Sequence, residues 1–452
     1  MTTSTPTPTP TPTPQDTICA VATPAGRGGV GIVRVSGPAS KTLVETLAGP
    51  LPKPRQAALR LFRDASGNAI DHGLVIYFPA PGSFTGEDVV ELQSHGSPVV
   101  LEWLVTTLVA AGARRARPGE FSERAFLNDR LDLAQAEAIA DLINASSVQA
   151  ARAAQRSLDG ALSQEANALA EALTRLRVWV EAALDFPDED VDFLADGHVL
   201  QRLDAVRADL DQLTERARGG RLLTEGLRVA IIGPPNAGKS SLLNALSQRD
   251  AAIVTDIPGT TRDVLLETVT LAGLPLVLAD TAGLRDTRDV IEAEGIKRAQ
   301  REMQMADLVF WVTDATSGSS SPPPGINPDT PMIRIINKID LLNQTPRRDG
   351  DVVYLSARQS VGLDLLADCV RERLGLSADQ AGEFSARARH IDALEAARVH
   401  LRQGKSELVA SGSGELLAEE LRAAADCLGE ISGRLSSDEL LGEIFSSFCI
   451  GK

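Results

Sequence analysis

Leu227-Arg-Val-Ala-Ile-Ile232 runs directly into Gly233-Pro-Pro-Asn236-Ala237-Gly238-Lys239-Ser240, and Ser241-Leu-Leu-Asn-Ala-Leu246 follows. A G-x-x-x-x-G-K-[ST] pattern between an apolar strand and a helix-forming run reads as a phosphate-binding loop. Its glycines let successive backbone N–H groups turn inward on phosphate oxygens. Lys239 adds a point charge near the β/γ phosphates, and the Ser240 hydroxyl suits Mg²⁺. The positive end of the following helix adds to the anion site, with Ser241 in its first turn.

The base is read farther along. Ile333-Arg-Ile-Ile336 is a short apolar strand that delivers Asn337-Lys338-Ile339-Asp340. A carboxylate at Asp340 accepts two hydrogen bonds from guanine N1–H and the 2-amino group. Adenine lacks that donor pair and would leave the carboxylate unsatisfied. Asn337 is expected on the other edge of the ring, with the Lys338 stem across its face. Val353-Tyr-Leu-Ser356-Ala357-Arg358 has the form of the strand and loop that close such a pocket.

Two further stations lie between. Leu276-Val-Leu-Ala-Asp280-Thr281-Ala282-Gly283 is a strand ending in D-x-x-G, where Asp280 reaches Mg²⁺ through water and the Gly283 N–H senses a γ-phosphate. Thr255-Asp256-Ile257-Pro258-Gly259-Thr260-Thr261 is a loop with adjacent hydroxyls, one of which closes on the metal when GTP is bound. Stations in this order define a GTPase segment. Leu284 follows Gly283 where a water-orienting Gln often sits, and an aliphatic chain cannot position water. Among the acids of Arg285–Gly295, Glu292 is the candidate for that task; the alternative is a solvated helix start.

The chain has 452 residues, enough for two to four domains. A tail of Thr-Pro repeats ending at Pro14 cannot build a core and is expected to be disordered. From Thr17 to Phe126, strand-like runs (Gly31–Val35, Leu74–Phe78, Val89–Leu92) accompany one helical pattern near Pro98–Ala111, an α+β domain. From Leu131 the period becomes helical, with Ala134, Ala138, Ile139, Leu142 and Ile143 on one face. Helical periodicity returns after the GTPase segment, where Leu417, Leu421, Ala424 and Leu428 align. The GTPase is therefore read as inserted into one helical domain, with two separate helical domains as the alternative. The acidic stretch Asp185–Asp190 reads as a solvated loop.

The formal net charge is −16, the reverse of what a sequence-independent nucleic-acid binder needs. RNA would have to meet a local basic patch or be held with a partner's help. Cys19, Cys369, Cys427 and Cys449 show no disulfide or zinc spacing, the histidines form no cluster, and no signal peptide or long apolar run occurs. The expectation is a soluble cytoplasmic protein with no membrane span. Gly26-Arg-Gly-Gly29 and Gly82–Asp88 read either as tight turns or as binding loops. Cys449, in the terminal run Phe448-Cys-Ile-Gly-Lys452, is either a buried thiol or a reactive one; its context does not fit lipidation.

Gly26–Arg34, Phe84-Thr-Gly-Glu-Asp88, Arg117-Pro-Gly-Glu-Phe-Ser-Glu-Arg-Ala-Phe126, the GTPase stations and Phe448–Lys452 together resemble the MnmE/TrmE family of tRNA modification GTPases. The resemblance runs from about Asp16 to Lys452. It implies a multidomain α/β architecture: an α+β N-terminal folate-binding and dimerisation domain (16–128) behind the tail (1–15), a discontinuous α-helical domain (129–222 and 378–452), and an inserted Ras-like P-loop GTPase domain (223–377). It implies a homodimer acting on tRNA with an FAD- and NADH-using partner of the MnmG/GidA type, in a hetero-oligomer. Together they would install an aminomethyl or carboxymethylaminomethyl group at C5 of the wobble uridine. The one-carbon donor would be 5-formyl- or methylene-tetrahydrofolate, with FAD confined to the partner.

Carried over by position, Arg34, Glu91, Arg130 and Lys452 become folate contacts, and Cys449 the family's terminal cysteine. Ser240 and Thr261 become Mg²⁺ ligands, and Asn236, Thr255, Ile257 and Thr260 surround a K⁺ ion. Lys239 and Glu292 become the catalytic pair, Glu292 orienting water. Two rivals are a ribosome-assembly GTPase switch without base chemistry and a stand-alone folate-dependent transferase.

Overall fold

The computed structural model describes residues 16–185, 198–249, 266–271, 273–279, 306–317, 330–374, 383–434, 437–448 and 450–451. The Thr-Pro tail, the acidic stretch after Asp185, the 255–263 loop, Asp280–Gly283, Glu292, Cys449 and Lys452 lie outside them. The chain divides into two compact units, one within Met1–Glu137 and Gly433–Lys452, the other within Ala138–Ser432.

The first unit is built on a six-stranded sheet of β1 (Ile18–Val21), β2 (Gly28–Ser36), β3 (Ala58–Arg63), β4 (Ala69–Phe78), β5 (Val89–Gly96) and β6 (Arg114–Arg115). Their order across the sheet is β3-β4-β5-β2-β1-β6. Alternation sets its faces: Val33, Val35, Val90 and Leu92 are fully or almost fully buried, while Arg34 and Glu91 face the other way. Helices α1 (Ser40–Ala48) and α2 (Pro98–Ala110) cover the buried face through Leu43, Val44, Leu104 and Leu108. The sequence pattern predicted one helix here; there are three, α3 (Glu120–Leu127) being the last. α1 and α3 span only nine and eight residues, too few turns for a clear 3.6-residue period.

The stretch from Gly433 onward lies with this sheet. Helix α12 (Asp438–Ser446) packs on α3, and Ile450 bridges to Pro118. A side chain at Gly119 would run into the Phe445 carbonyl, so this close approach needs glycine.

In the second unit, seven strands form the order β12-β13-β11-β10-β7-β9-β8. They are β7 (Leu227–Ile232), β8 (Leu266–Leu271), β9 (Leu274–Ala279), β10 (Leu308–Asp314), β11 (Met332–Asn337), β12 (Arg347–Asp349) and β13 (Val352–Tyr354). β9, β7, β10, β11 and β13 run parallel; β8 and β12 are antiparallel edges. The central strands are buried on both faces, Val229, Ile231, Phe310 and Val312 in one cluster and Ala230, Ile232, Val309 and Trp311 in another. This is why they read as continuous apolar runs rather than alternating ones.

Helices α5 (Val148–Leu158), α6 (Ala161–Asp185) and α7 (His198–Glu225) precede the sheet; α10 (Ala388–Ser411) and α11 (Gly414–Ser432) follow it. These two sets pack on each other, α6 against α11 and α7 against α10. Polar links join the segments before and after the sheet: Arg387 Nη2 to Asp141 Oδ1 at 2.6 Å, Lys405 Nζ to Asp204 Oδ1 at 2.7 Å, and the Ser157 hydroxyl donating to the Ser385 carbonyl. Leu417, Leu421, Ala424 and Leu428 are buried as their spacing predicts. In α4 (Leu133–Asn144), Ala134 and Ala138 are buried but Ile143, in its last turn, is 48% exposed.

Candidate nucleotide site

Because five strands are parallel, their carboxyl ends meet at one edge of the sheet. Chain order reverses beside β7, whose neighbours are β9 and β10. The crevice outside the strand ends at such a switch point is where open α/β sheets take ligands. The loop after β7 turns through Gly233, Asn236 (φ 60°) and Gly238 (φ 94°) into helix α8 (Lys239–Arg249). A Cβ at Gly233 would strike the Val312 carbonyl, and one at Gly238 would strike Asn337 Nδ2. Only glycine lets the loop lie this close to the neighbouring strand ends.

Lys239 folds back over the loop, its ammonium donating to the carbonyls of Gly233 (2.9 Å) and Pro234 (3.0 Å). Burial lowers its pKa below the ordinary lysine value. Ser240 and Ser241 stand exposed in the first turn of α8.

Asn337 ends β11 and is 2% exposed. Its Nδ2 donates to the Ala237 carbonyl at 3.0 Å, and its Oδ1 accepts from the Ala357 N–H at 3.0 Å. One side chain thus clamps the 233–238 loop to the Ser356–Ala357 loop, a role beyond the ring-edge contact expected of it. Lys338 is left-handed (φ 66°), and its ammonium reaches the Asn236 carbonyl at 2.5 Å and Asp314 Oδ2 at 2.6 Å. Asp340 Oδ1 accepts from the Ser356 hydroxyl at 2.5 Å. Arg358 is exposed beside this pair.

Sequence reasoning missed Asp314. It stands in register with Asn337, at the carboxyl end of a central strand. An acid closing the apolar run Leu308–Thr313 was the available signal.

The N-terminal candidates lie in the other unit. Arg34 and Glu91 are cross-strand partners on β2 and β5, joined from Arg34 Nη2 to Glu91 Oε1 at 2.9 Å. The Arg34 guanidinium lies 5.4 Å from the Phe84 ring and 5.7 Å from the Phe121 ring, and Nη1 reaches the Gly451 carbonyl at 3.4 Å. Arg130 is exposed, with its stem next to Gly86.

The remaining motif residues mainly hold this unit together. Arg124 pairs with Glu87, Glu120 and Asp16, and Arg114 with Glu120 and Asp16. Burial pushes the Glu120 carboxyl up, but Arg114, the Arg117 N–H and Arg124 outweigh it and leave the pKa below the ordinary value. Cys19 is fully buried, its thiol pushed up to about 11. Burial also raises Cys369 and Cys427, so none of the three is a poised nucleophile.

Residues 133–449 match the family model described as the MnmE helical domain, and residues 17–130 the one described as the GTP-binding protein TrmE N-terminus. Proteins named tRNA modification GTPase MnmE from Yersinia pseudotuberculosis serotype O:1b (strain IP 31758) and Yersinia pestis bv. Antiqua (strain Angola) are each 54% identical to it over 450 residues. The alignments cover 97% of this chain and 99% of theirs. A solved G domain of the T. maritima FeoB iron transporter aligns at 25% identity, covering 32% of this chain and 98% of that one, with a TM-score of 0.22.

Proposed function

The chain belongs to the MnmE/TrmE family of tRNA modification GTPases, and on that premise we propose that it hydrolyses GTP to drive modification of the wobble uridine of certain tRNAs. The observation that carries the reading is the Asn337 clamp. A single buried amide joins the phosphate loop at Ala237 to the base-side loop at Ala357. A nucleotide held at both ends needs those two loops fixed relative to each other.

In this reading Asp340 selects guanine, Lys239 and the N–H groups of 236–241 hold the phosphates, and Thr255–Thr261 and Asp280–Gly283 respond to the γ-phosphate. The exposed Ser240 hydroxyl at the start of α8 suits Mg²⁺, with Thr261 as its second protein ligand. The Asn236 carbonyl is already taken by Lys338. Its side-chain oxygen is the atom assigned to K⁺ in this reading, beside Thr255, Ile257 and Thr260. The metal ions supply neutralisation of developing phosphoryl charge. Glu292 orients the attacking water.

For folate, the Arg34–Glu91 pair, with the Arg34 guanidinium near the Phe84 and Phe121 rings, supports the reading: a carboxylate suits the donors of a pterin, and Arg130 and Lys452 suit its glutamate tail. A reduced folate supplies the one-carbon unit when bound. Helices on both sides of the seven-stranded sheet pack on one another, which supports an inserted GTPase segment within a discontinuous helical domain. The protein works as a homodimer with the FAD-dependent partner, in a cytoplasmic hetero-oligomer.

The test is nucleotide turnover by the purified chain. GTP should be cleaved and ATP not, faster in KCl than in NaCl at matched ionic strength. Equal use of ATP would overturn the base assignment, and equal rates in the two salts would overturn the K⁺ site.

A further inference from the structure

We propose that Asp314 is a positioning residue of the guanine-nucleotide site, acting through Lys338 to fix the base pocket against the phosphate loop. The inference rests on the reading of this crevice as a GTP site.

Asp314 uses its two oxygens differently. Oδ1 accepts from the Thr316 N–H at 2.9 Å and the Thr316 hydroxyl at 2.8 Å, closing the turn after β10. Oδ2 points the other way and takes the Lys338 ammonium at 2.6 Å. That ammonium also donates to the carbonyl of Asn236, the left-handed residue of the phosphate loop. Lys338 is left-handed too, which sends its stem back across the strand ends instead of onward along the chain. The neighbouring backbone is fixed, since Ala315 N–H donates to the Asn337 carbonyl at 2.9 Å.

A lysine on a four-carbon stem has many rotamers, and one carbonyl does not choose among them. The carboxylate of Asp314 supplies the second anchor. Its own side chain is 14% exposed and that of Lys338 31%, so the pair is partly shielded from water and salt. With both anchors in place the aliphatic stem is held to lie across the face of a base, and the Asn236 carbonyl keeps its orientation.

A merely structural role would belong to Oδ1 and the turn. Asp314→Asn separates the two. Its single oxygen satisfies Thr316, which turns its amide N–H₂ toward the ammonium, a donor against a donor. The experiment measures release of a fluorescent GDP analogue from the full-length chain, with the thermal midpoint of each variant alongside.

Asp314→Asn should keep its midpoint yet release GDP about tenfold faster, as should Lys338→Met. The double variant should be no faster than Lys338→Met alone, because both substitutions break one device. GDP release unchanged in Asp314→Asn, additive effects in the double variant, or a midpoint that falls as release quickens would each overturn the proposal. Failure of the unsubstituted chain to bind the analogue would overturn the GTP reading itself, and this proposal with it.

Discussion

At the scale of single residues, Asp340 carries the most specific consequence. If Asp340 reads guanine as proposed, Asp340→Asn turns an acceptor into a donor facing the guanine amino group. GTP affinity should fall by about 2 kcal/mol or more, the scale of an unpaired buried polar group, while xanthosine triphosphate gains. Calorimetric titration with both nucleotides checks this. Ser356 already donates to Asp340, so the carboxylate is oriented before any base arrives. If Glu292 orients water as proposed, Glu292→Ala should bind GTP as the parent does and lose most hydrolysis, because only a transition-state interaction is removed; single-turnover assays with binding measured in parallel would tell. Glu120 gives a pH prediction of definite sign. Its folded-state pKa is depressed, so its contribution is present above the ordinary carboxylate value and is lost as pH falls through the lowered one. Glu120→Ala should destabilise the N-terminal unit by about 3 kcal/mol at neutral pH, since Arg114 and Arg124 lose a buried partner. That deficit should shrink in unfolding experiments taken into acid.

At the scale of elements, β7, β9, β11 and β13 were legible as apolar runs that each lead into a motif, whereas β10 and the edge strands β8 and β12, which lead into none, were not. Leu227–Ile232 was bounded to the residue, with the glycine loop marking its end. The short helices α1 and α3 were not legible, since tertiary contacts and buried ion pairs hold them more than their own period does. Asp314 was overlooked for a related reason: its partner is 24 residues away in sequence, and only the pairing of β10 with β11 brings Lys338 to it. The phosphate loop makes an element-level prediction. Gly238→Ala would drive a Cβ into Asn337 Nδ2 at a left-handed position. Strain of about 1–3 kcal/mol should open the clamp, weakening GTP binding about tenfold while far-UV circular dichroism stays unchanged. In the helical layer, Leu421 is fully buried in α11. Leu421→Ala should cost about 2–5 kcal/mol in denaturant unfolding without altering which nucleotide is preferred.

At the scale of the whole molecule, a chain of net charge −16 is poorly suited to gripping RNA by charge alone, so tRNA has to meet a local basic patch or be held with a partner's help. The terminal residues up to Gly451 lie with the N-terminal sheet, where Arg34 donates to the Gly451 carbonyl. The end of the sequence is thereby tied to the pair proposed to meet folate. No periodicity or composition foretold that return, because it depends on single close contacts at Gly119 and Gly451. Two proposals meet at this scale: that GTP is cleaved at the sheet edge, and that cleavage drives a change on tRNA. Nucleoside analysis of tRNA from cells lacking the protein, supplied with either the unsubstituted chain or Glu292→Ala, tests both together. The wobble uridine should lose its C5 aminomethyl-type group in the null cells, regain it with the unsubstituted chain and stay bare with Glu292→Ala. A fully modified wobble uridine in the null cells would contradict the proposed function.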